Sequence, residues 1–330
     1  MIEHAATLDR HERGSLDMLS VIAPVLNEEE NLIEFHSALV EALPRDLNWE
    51  LILIDDGSTD DTLNVLTGIC ERDKRVSGLS LSRNFGHQIA LTAGYQAAEG
   101  QVVVSMDSDL QHPAQVIPEM IDRWREGADI VVARRGNRSG GFVLGSFYRL
   151  FLALMRRVSS IDLIEGASDF CLMDRKAVDS LNQYGESSRF IRGMVCDLGF
   201  RQEIVDYEQR PRTTGKSRWN FWSLSKFGVS GVISFSAFPL RISFFFGLIL
   251  SLLSIGYAGW IIAAKLMYSA APAGLPSTLV GIFFLGGIQL ISIGIVGEYL
   301  ARIFLEVKGR PLYLISEVVG TRAETTDLPS

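Results

Sequence analysis

"VVSMDSDLQHP", residues 103–113, decides how the chain is read. A run of apolar β-formers stops at Asp107 and Asp109, one residue apart, and Gln111 and His112 follow. A strand that leaves a core and finishes on paired carboxylates marks the carboxyl edge of a sheet, where open α/β sheets bind their ligands. Pro113 then opens a stretch of helical character.

The pattern repeats on either side. "MLSVIAPVLNEEEN" runs as an apolar strand from Met18 to Val25 into an acidic turn, after which Leu32, Phe35, Leu39 and Leu43 recur at helical spacing. Further strands are expected at "WELILIDD", "RVSGLSLS", "QVVVSMD" and "ADIVVAR", alternating with helices at residues 60–72, 86–98 and 113–126. Strand and helix alternating in this way predict an α/β fold with a mostly parallel, Rossmann-like sheet.

The turns after the first four strands are "PVLNEEEN", "DDGSTDDT", "RNFGH" and "DSDLQH". None carries G-x-G-x-x-G or a Walker A loop, so dinucleotide and P-loop binding have no motif behind them. Carboxylates line this edge instead, and a nucleoside diphosphate, itself anionic, needs a divalent cation to dock there. Mg2+ or Mn2+ fits, because carboxylate and phosphate oxygens together satisfy such an ion. A bend after the strand turns Asp107 and Asp109 towards one ion, and Gln111 can add a carbonyl oxygen. In "DDGSTDDT", Asp60 or Ser58 is expected to cap a helix. Asp55 or Asp56 is then free to accept hydrogen bonds from a base or ribose. His112, before Pro113 at a helix start, reads as structural; neither it nor His87 is assigned a role.

The chain has 330 residues and a net charge of −8, with 47% apolar and 21% charged residues, and the apolar share is unevenly placed. No Asp or Glu occurs from Gln209 to Gly297, and within that stretch Ile242–Ala264 is an uncharged run of bilayer-spanning length. A second uncharged run covers Ala270–Gly297, after the Pro/Gly turn "SAAPAGLPS". A two-helix transmembrane hairpin is therefore expected. Arg241 before it, Arg302, Lys308 and Arg310 after it, and the interfacial aromatics Tyr257, Trp260 and Tyr268 fit that topology. The expected organisation is a polar tail (1–17), a catalytic domain (18–217), a juxtamembrane segment (218–240), two transmembrane helices (241–303, as 241–266 and 277–302) and a tail (304–330).

The first 17 residues carry no apolar signal-type stretch, so both termini and the large domain are expected in the cytoplasm of a multi-pass plasma-membrane protein. Cys70, Cys171 and Cys196 show neither a disulfide framework nor zinc spacing, in keeping with a reducing compartment. The acidic balance speaks against a nucleic-acid partner. One region is locally basic: six arginines, among them Arg134 and Arg149, lie between Asp129 and Asp162 with no acid among them. That stretch is suited to an anion at the membrane surface. "FVLGSFYRLFLALMRR" within it and "WNFWSLSKFGVSGVISFSAFPLR" further on suit interfacial amphipathic helices. Gly281, Gly286 and Gly287 permit close helix packing, compatible with a homo-oligomer.

Together with "LSRNFGHQIALTAGYQAAEG" and "GASDFCLMDRKAVD", these motifs resemble the family 2 glycosyltransferases of GT-A fold. More narrowly they are similar to the polyprenyl-phosphate glycosyltransferases, and "GIVGEYLARIFLEVKGRPLYLI" resembles the bacterial two-helix group. The resemblance implies transfer of a sugar, with inversion, from a UDP-sugar to undecaprenyl phosphate in the bacterial inner membrane. Glucose is the expected sugar; mannose from GDP-mannose, aminoarabinose or an N-acetylhexosamine are the alternatives, and a non-catalytic lipid-carrier protein is the contrasting class. It also implies that Pro24, Glu28, Asp55, Asp56 and Arg83 hold the nucleoside. Asp107, Asp109 and Gln111 would hold the metal. Asp169 would be catalytic, and Arg134, Arg149, Arg212 and Lys216 would meet the acceptor phosphate. Processive synthases of this fold carry Q-x-x-R-W; here Gly215 stands in the glutamine position before Arg218-Trp219, which disfavours polymerisation.

Overall fold

The computed structural model describes residues 13–136, 166–208 and 275–324, with scattered positions between 243 and 263. Its elements are β1 (Leu19–Val25), α1 (Leu32–Ala42), β2 (Trp49–Asp55), α2 (Thr62–Arg72), β3 (Val76–Leu81), α3 (His87–Ala97) and β4 (Val102–Ser105). There follow α4 (Ile117–Arg125), β5 (Ile130–Arg135), β6 (Ala167–Asp174), α5 (Arg175–Asn182), α6 (Ile191–Asp197), β7 (Gln202–Tyr207), α7 (Leu275–Val307) and β8 (Ile315–Gly320).

All eight strands form one sheet in the order β7-β5-β6-β4-β1-β2-β3-β8. Only β6 and β8 run against the others, so the expected mostly parallel α/β sheet is present. Its central strands are apolar on both faces because helices cover both. In β1, Val21 and Ala23 join a cluster with Leu39, Leu66 and Trp124, while Ile22 faces Leu91 and Ala93 of α3 on the opposite side. Burying Ile22 contributes about 1.5–3 kcal/mol. A one-residue slip would exchange the two faces, which fixes the strand ends and therefore the loops beyond them.

Two features depart from the periodic pattern. First, "ASDFCLMD" forms β6, inserted antiparallel between β4 and β5. Second, within residues 304–330, set apart above as a tail, β8 pairs antiparallel with β3 and closes that edge of the sheet. Arg322, just beyond β8, meets Glu50 at 2.8 Å, and Ser316 donates to the Ser80 carbonyl at 3.0 Å. Near the other end of the chain, Arg13 pairs with Asp129 and lies 3.2 Å from Asp174, fastening part of the expected polar tail.

The sheet and α7 belong to separate compact units, and β8 belongs with the sheet. Within α7, Phe284–Val307 is long and apolar enough to cross a membrane. α7 runs from Leu275 to Val307, longer than the expected 277–302. The described positions between 243 and 263 are helical, but most of the first expected span and the juxtamembrane segment 218–240 lie outside the described residues.

Candidate active site at the carboxyl edge of the sheet

The loops after β1, β2 and β3 build one side of the site. Asp55 ends β2, in register with Val25 and Ser80. One of its oxygens accepts the Ser58 N–H and the other the Ser80 hydroxyl, each at 2.9 Å. Asp56 accepts the backbone N–H groups of Phe85 at 2.7 Å and Gly86 at 2.9 Å. Burial pushes its carboxyl above the ordinary value, although both N–H groups pull the other way. Gly57 has φ +70°, and a Cβ there would stand 2.6 Å from the carbonyl carbon of Arg83, so only glycine lets these loops meet. Neither aspartate is therefore free in the sense expected. Both hold loops, and only their remaining lone pairs can serve a ligand.

The other residues expected at a nucleoside lie on the same loops. Pro24 is buried, and its carbonyl accepts the Ser108 hydroxyl at 3.0 Å, tying the end of β1 to the Asp107–Asp109 turn. Glu28 accepts from Asn31 at 2.7 Å, and the exposed Arg83 stacks on Phe85 at 4.2 Å. Neither expected residue occupies the cap of α2, which is Asp61: Asp60 accepts the Thr62 N–H at 3.1 Å from one residue before it, and Ser58 accepts the Asn27 N–H at 3.0 Å.

The second side is set by the register of β4 and β6. Ser105 pairs with Cys171, so the antiparallel strands bring Asp107 and Asp169 to the same end, and the Ser105 hydroxyl donates to the Asp169 carbonyl at 2.6 Å. His87 stands between the two carboxylates, 3.3 Å from Asp169 and 3.5 Å from Asp107. Arg192, at the start of α6, grips Asp169 through two bonds of 2.7 and 3.0 Å, and Gln88 adds a third at 3.3 Å. Burial alone would raise the Asp169 carboxyl; the His87 hydrogen bond and the Arg192 guanidinium outweigh it and hold the group well below the usual carboxylate range. Burial lowers the His87 imidazole, but the bond to Asp169 and the nearby Asp107 charge bring its pKa above the ordinary value.

Asp109 accepts both the Gln111 backbone N–H at 3.2 Å and its side-chain amide at 2.7 Å, across a turn in which Leu110 takes the left-handed φ of +61°. A non-glycine residue held there is the kind of local strain that gathers at functional sites. Among the described residues no three His, Cys, Asp or Glu side chains converge to hold an ion by themselves. One observation nonetheless suits a cation. Asp107 Oδ1 is buried and has no hydrogen-bond partner among the described residues, and a hard anionic oxygen in that state is a ready ligand.

Of the residues expected at an acceptor phosphate, Arg134 is half-buried and paired with Asp206 on β7 through bonds of 2.6 and 2.8 Å. Arg149, Arg212 and Lys216 lie outside the described residues. Arg192 and Gln88 were not singled out from the sequence, and His87 was left unassigned. Nothing in their spacing marks them; the packing of α3 on β1 and β2 and of α6 on β6 brings them to Asp169.

Residues 20–181 match the family model described as "Glycosyl transferase family 2". An "Uncharacterized glycosyltransferase" of Synechocystis sp. is 41% identical over 304 residues, 92% of this chain and 96% of that protein. The SfII prophage-derived bactoprenol glucosyl transferase of Shigella flexneri is 38% identical over 301 residues, 91% of this chain and 97% of that one. Among solved structures, glucosyl-3-phosphoglycerate synthase from Mycobacterium tuberculosis is 22% identical with a TM-score of 0.47, over 66% of this chain and 76% of that one. The match to the family model and the 41% and 38% identity to the Synechocystis and Shigella flexneri proteins over more than nine-tenths of the chain place it among the family 2 glycosyltransferases, as an enzyme of that class.

Proposed function

We propose that the chain transfers a sugar, glucose in the first instance, from a UDP-sugar to the phosphate of a polyprenyl carrier such as undecaprenyl phosphate, with inversion. The observation that carries this is the 38% identity, across 97% of its length, to a protein named bactoprenol glucosyl transferase. The geometry supports it: one sheet edge gathers the loops after β1, β2 and β3 and a carboxylate pair with one buried oxygen that accepts no hydrogen bond among the described residues. Beside that pair lies a third carboxylate gripped by an arginine.

Asp107, Asp109 and the Gln111 carbonyl would hold Mg2+ or Mn2+, with diphosphate oxygens completing the shell. When bound, the ion supplies Lewis-acid stabilisation of the charge that builds on the leaving UDP. The acceptor is a phosphate monoester with a second pKa of about 6, so it is already an anion at neutral pH and no strong base is required. Asp169, held ionised by His87 and Arg192, is a poor proton acceptor. Its place in the mechanism is to orient sugar hydroxyls and to fix Arg192 where charge is exchanged between phosphates. Arg134, Arg149, Arg212 and Lys216 remain the proposed contacts of the acceptor phosphate.

For the membrane part we propose two crossings, a reading that β8 supports: β7 and β8 lie in one sheet, so a chain that crosses between Tyr207 and Ile315 would return to the side it left. α7 is one candidate crossing, and the uncharged run Ile242–Ala264 supplies the other. Arg302, Lys308 and Arg310 favour the cytoplasm for the sheet side.

The test is to supply membranes carrying the full chain with undecaprenyl phosphate, a divalent cation and a panel of radiolabelled nucleotide sugars, then extract the lipid. Labelled lipid from UDP-glucose is expected. Labelling from another donor would correct the sugar, and release of no nucleotide from any donor would sink the transferase.

A further inference from the structure

Two buried atoms on the Asp107–His112 turn have no hydrogen-bond partner among the described residues, Asp107 Oδ1 and His112 Nε2. The residues that carry them are bonded to each other. His112 Nδ1 accepts the backbone N–H of Asp107 at 3.1 Å and lies 3.6 Å from Asp107 Oδ2. The His112 side chain is fully buried, its ring stacked on Phe170 at 5.1 Å and edge-on to Tyr207 at 5.8 Å. Acceptance through Nδ1 leaves the ring proton on Nε2.

A phenylalanine would stack on Phe170 as well and would bury no partnerless ring N–H. What it could not do is accept from Asp107. Within the turn Leu110 is in the left-handed region, the Asp109–Gln111 bonds tie the middle and the Ser108 hydroxyl anchors it to Pro24, while the Asp107 N–H itself is held by the His112 ring.

We propose that His112 is a positioning residue for the metal site: by accepting the Asp107 N–H through Nδ1 it fixes how that carboxylate is presented, and so sets divalent-cation affinity. This rests on the metal assignment made under Proposed function. Partners of this kind orient ligands they do not themselves replace, and their loss weakens binding without destroying the site.

The two ring nitrogens can be separated by substitution. In His112→Asn the side-chain oxygen falls near the place of Nδ1; in His112→Gln the terminal amide falls near that of Nε2. Mn2+ binding to the detergent-solubilised full chain is read from the EPR signal of free ion, with UDP constant and no acceptor, so that no turnover enters the measurement. His112→Gln and His112→Phe are expected to weaken Mn2+ by about 10–100-fold, while His112→Asn stays within about threefold of wild type. Should His112→Phe fail to fold, the Asn and Gln variants, alike in chemistry, carry the comparison. Wild-type affinity in His112→Gln, or a loss in His112→Asn equal to that in His112→Gln, overturns the proposal. Wild-type protein without saturable Mn2+ binding, or Asp109→Asn binding as tightly as wild type, would instead remove the metal assignment, and this inference with it.

Discussion

The sheet edge carries two pairs of carboxylates, one adjacent in sequence and one brought together by strand pairing, that behave differently in the structure. Asp55 and Asp56, after β2, are absorbed by the protein: their oxygens accept from Ser58, Ser80, Phe85 and Gly86. Asp107 and Asp169, at the meeting of β4 and β6, are held differently. Asp169 is gripped by charged side chains, and Asp107 keeps a buried oxygen that accepts no hydrogen bond among the described residues and faces His87 Nε2 at 3.5 Å. The first pair shapes loops and the second faces charge. Substitutions in the first pair should act through the fit of the donor, and those in the second through the chemical step.

Asp107→Asn is the sharpest way to break this contrast. It keeps the size of the side chain and removes the anionic oxygen, so kcat/KM for the UDP-sugar should fall by about 10³-fold, the scale of losing a principal electrostatic contact in an active site. Added Mn2+ should recover part of the loss. An unchanged rate with unchanged metal dependence would erase the distinction between the pairs.

Asp169→Asn should cost less, about 100-fold in kcat, because the amide still receives a hydrogen bond from Arg192 but no longer balances its charge. The informative readout is the pH profile. The folded-state pKa of Asp169 lies well below the ordinary value, so the group stays ionised across the assay range and contributes no acidic limb. A limb near pH 6 with rate rising as pH rises is expected from the acceptor phosphate, whose second pKa is about 6, whereas His87, held above its ordinary value by Asp169 and Asp107, titrates higher. The limb should therefore survive in the variant unmoved; its disappearance would restore Asp169 as a base.

These contrasts also explain how far the sequence could be read. The β–α alternation, the strand ends and the paired aspartates were visible because buried parallel strands are continuous apolar runs and their polar ends stand out. β6 was legible only as the motif around Asp169, since its antiparallel insertion leaves no periodic mark. β8 escaped because Ile315–Gly320, with burial intermediate or exposed at every position, lacks the apolar run that marks the other strands. Arg192, Gln88 and His87 converge on Asp169 from residues far apart in the chain, and only the packing of α3 and α6 on the sheet assembles them.

Asp56→Asn tests the first pair. Its amide oxygen can stand for the oxygen that accepts from Phe85 at 2.7 Å and Gly86 at 3.3 Å, but the 2.9 Å bond of Gly86 to the second oxygen is replaced by an amide N–H that cannot accept, a cost of about 1 kcal/mol. The Arg83–Gly86 loop should loosen, KM for the UDP-sugar should rise by about tenfold with kcat little changed, and the thermal midpoint should fall. A fall in kcat at constant KM would put Asp56 with the second pair.

Ser80→Ala should have the smallest effect and probes how the C-terminal strand reaches the site. Ser80 donates its hydroxyl to Asp55 while its carbonyl accepts from Ser316 of β8, so it joins the strand after α7 to the donor loops. Removing the hydroxyl leaves the β3–β8 ladder intact and releases only one oxygen of Asp55, whose other oxygen is still held by Ser58. A rise of about two- to fivefold in donor KM, with kcat and Mn2+ affinity unchanged, is expected for one net hydrogen bond of about 1 kcal/mol. Ser316→Ala, which keeps the Asp55 contact, should do less. If Ser316→Ala matched Ser80→Ala, the effect would travel through the strand pairing itself, and the donor side would depend on β8 more than on its own carboxylates.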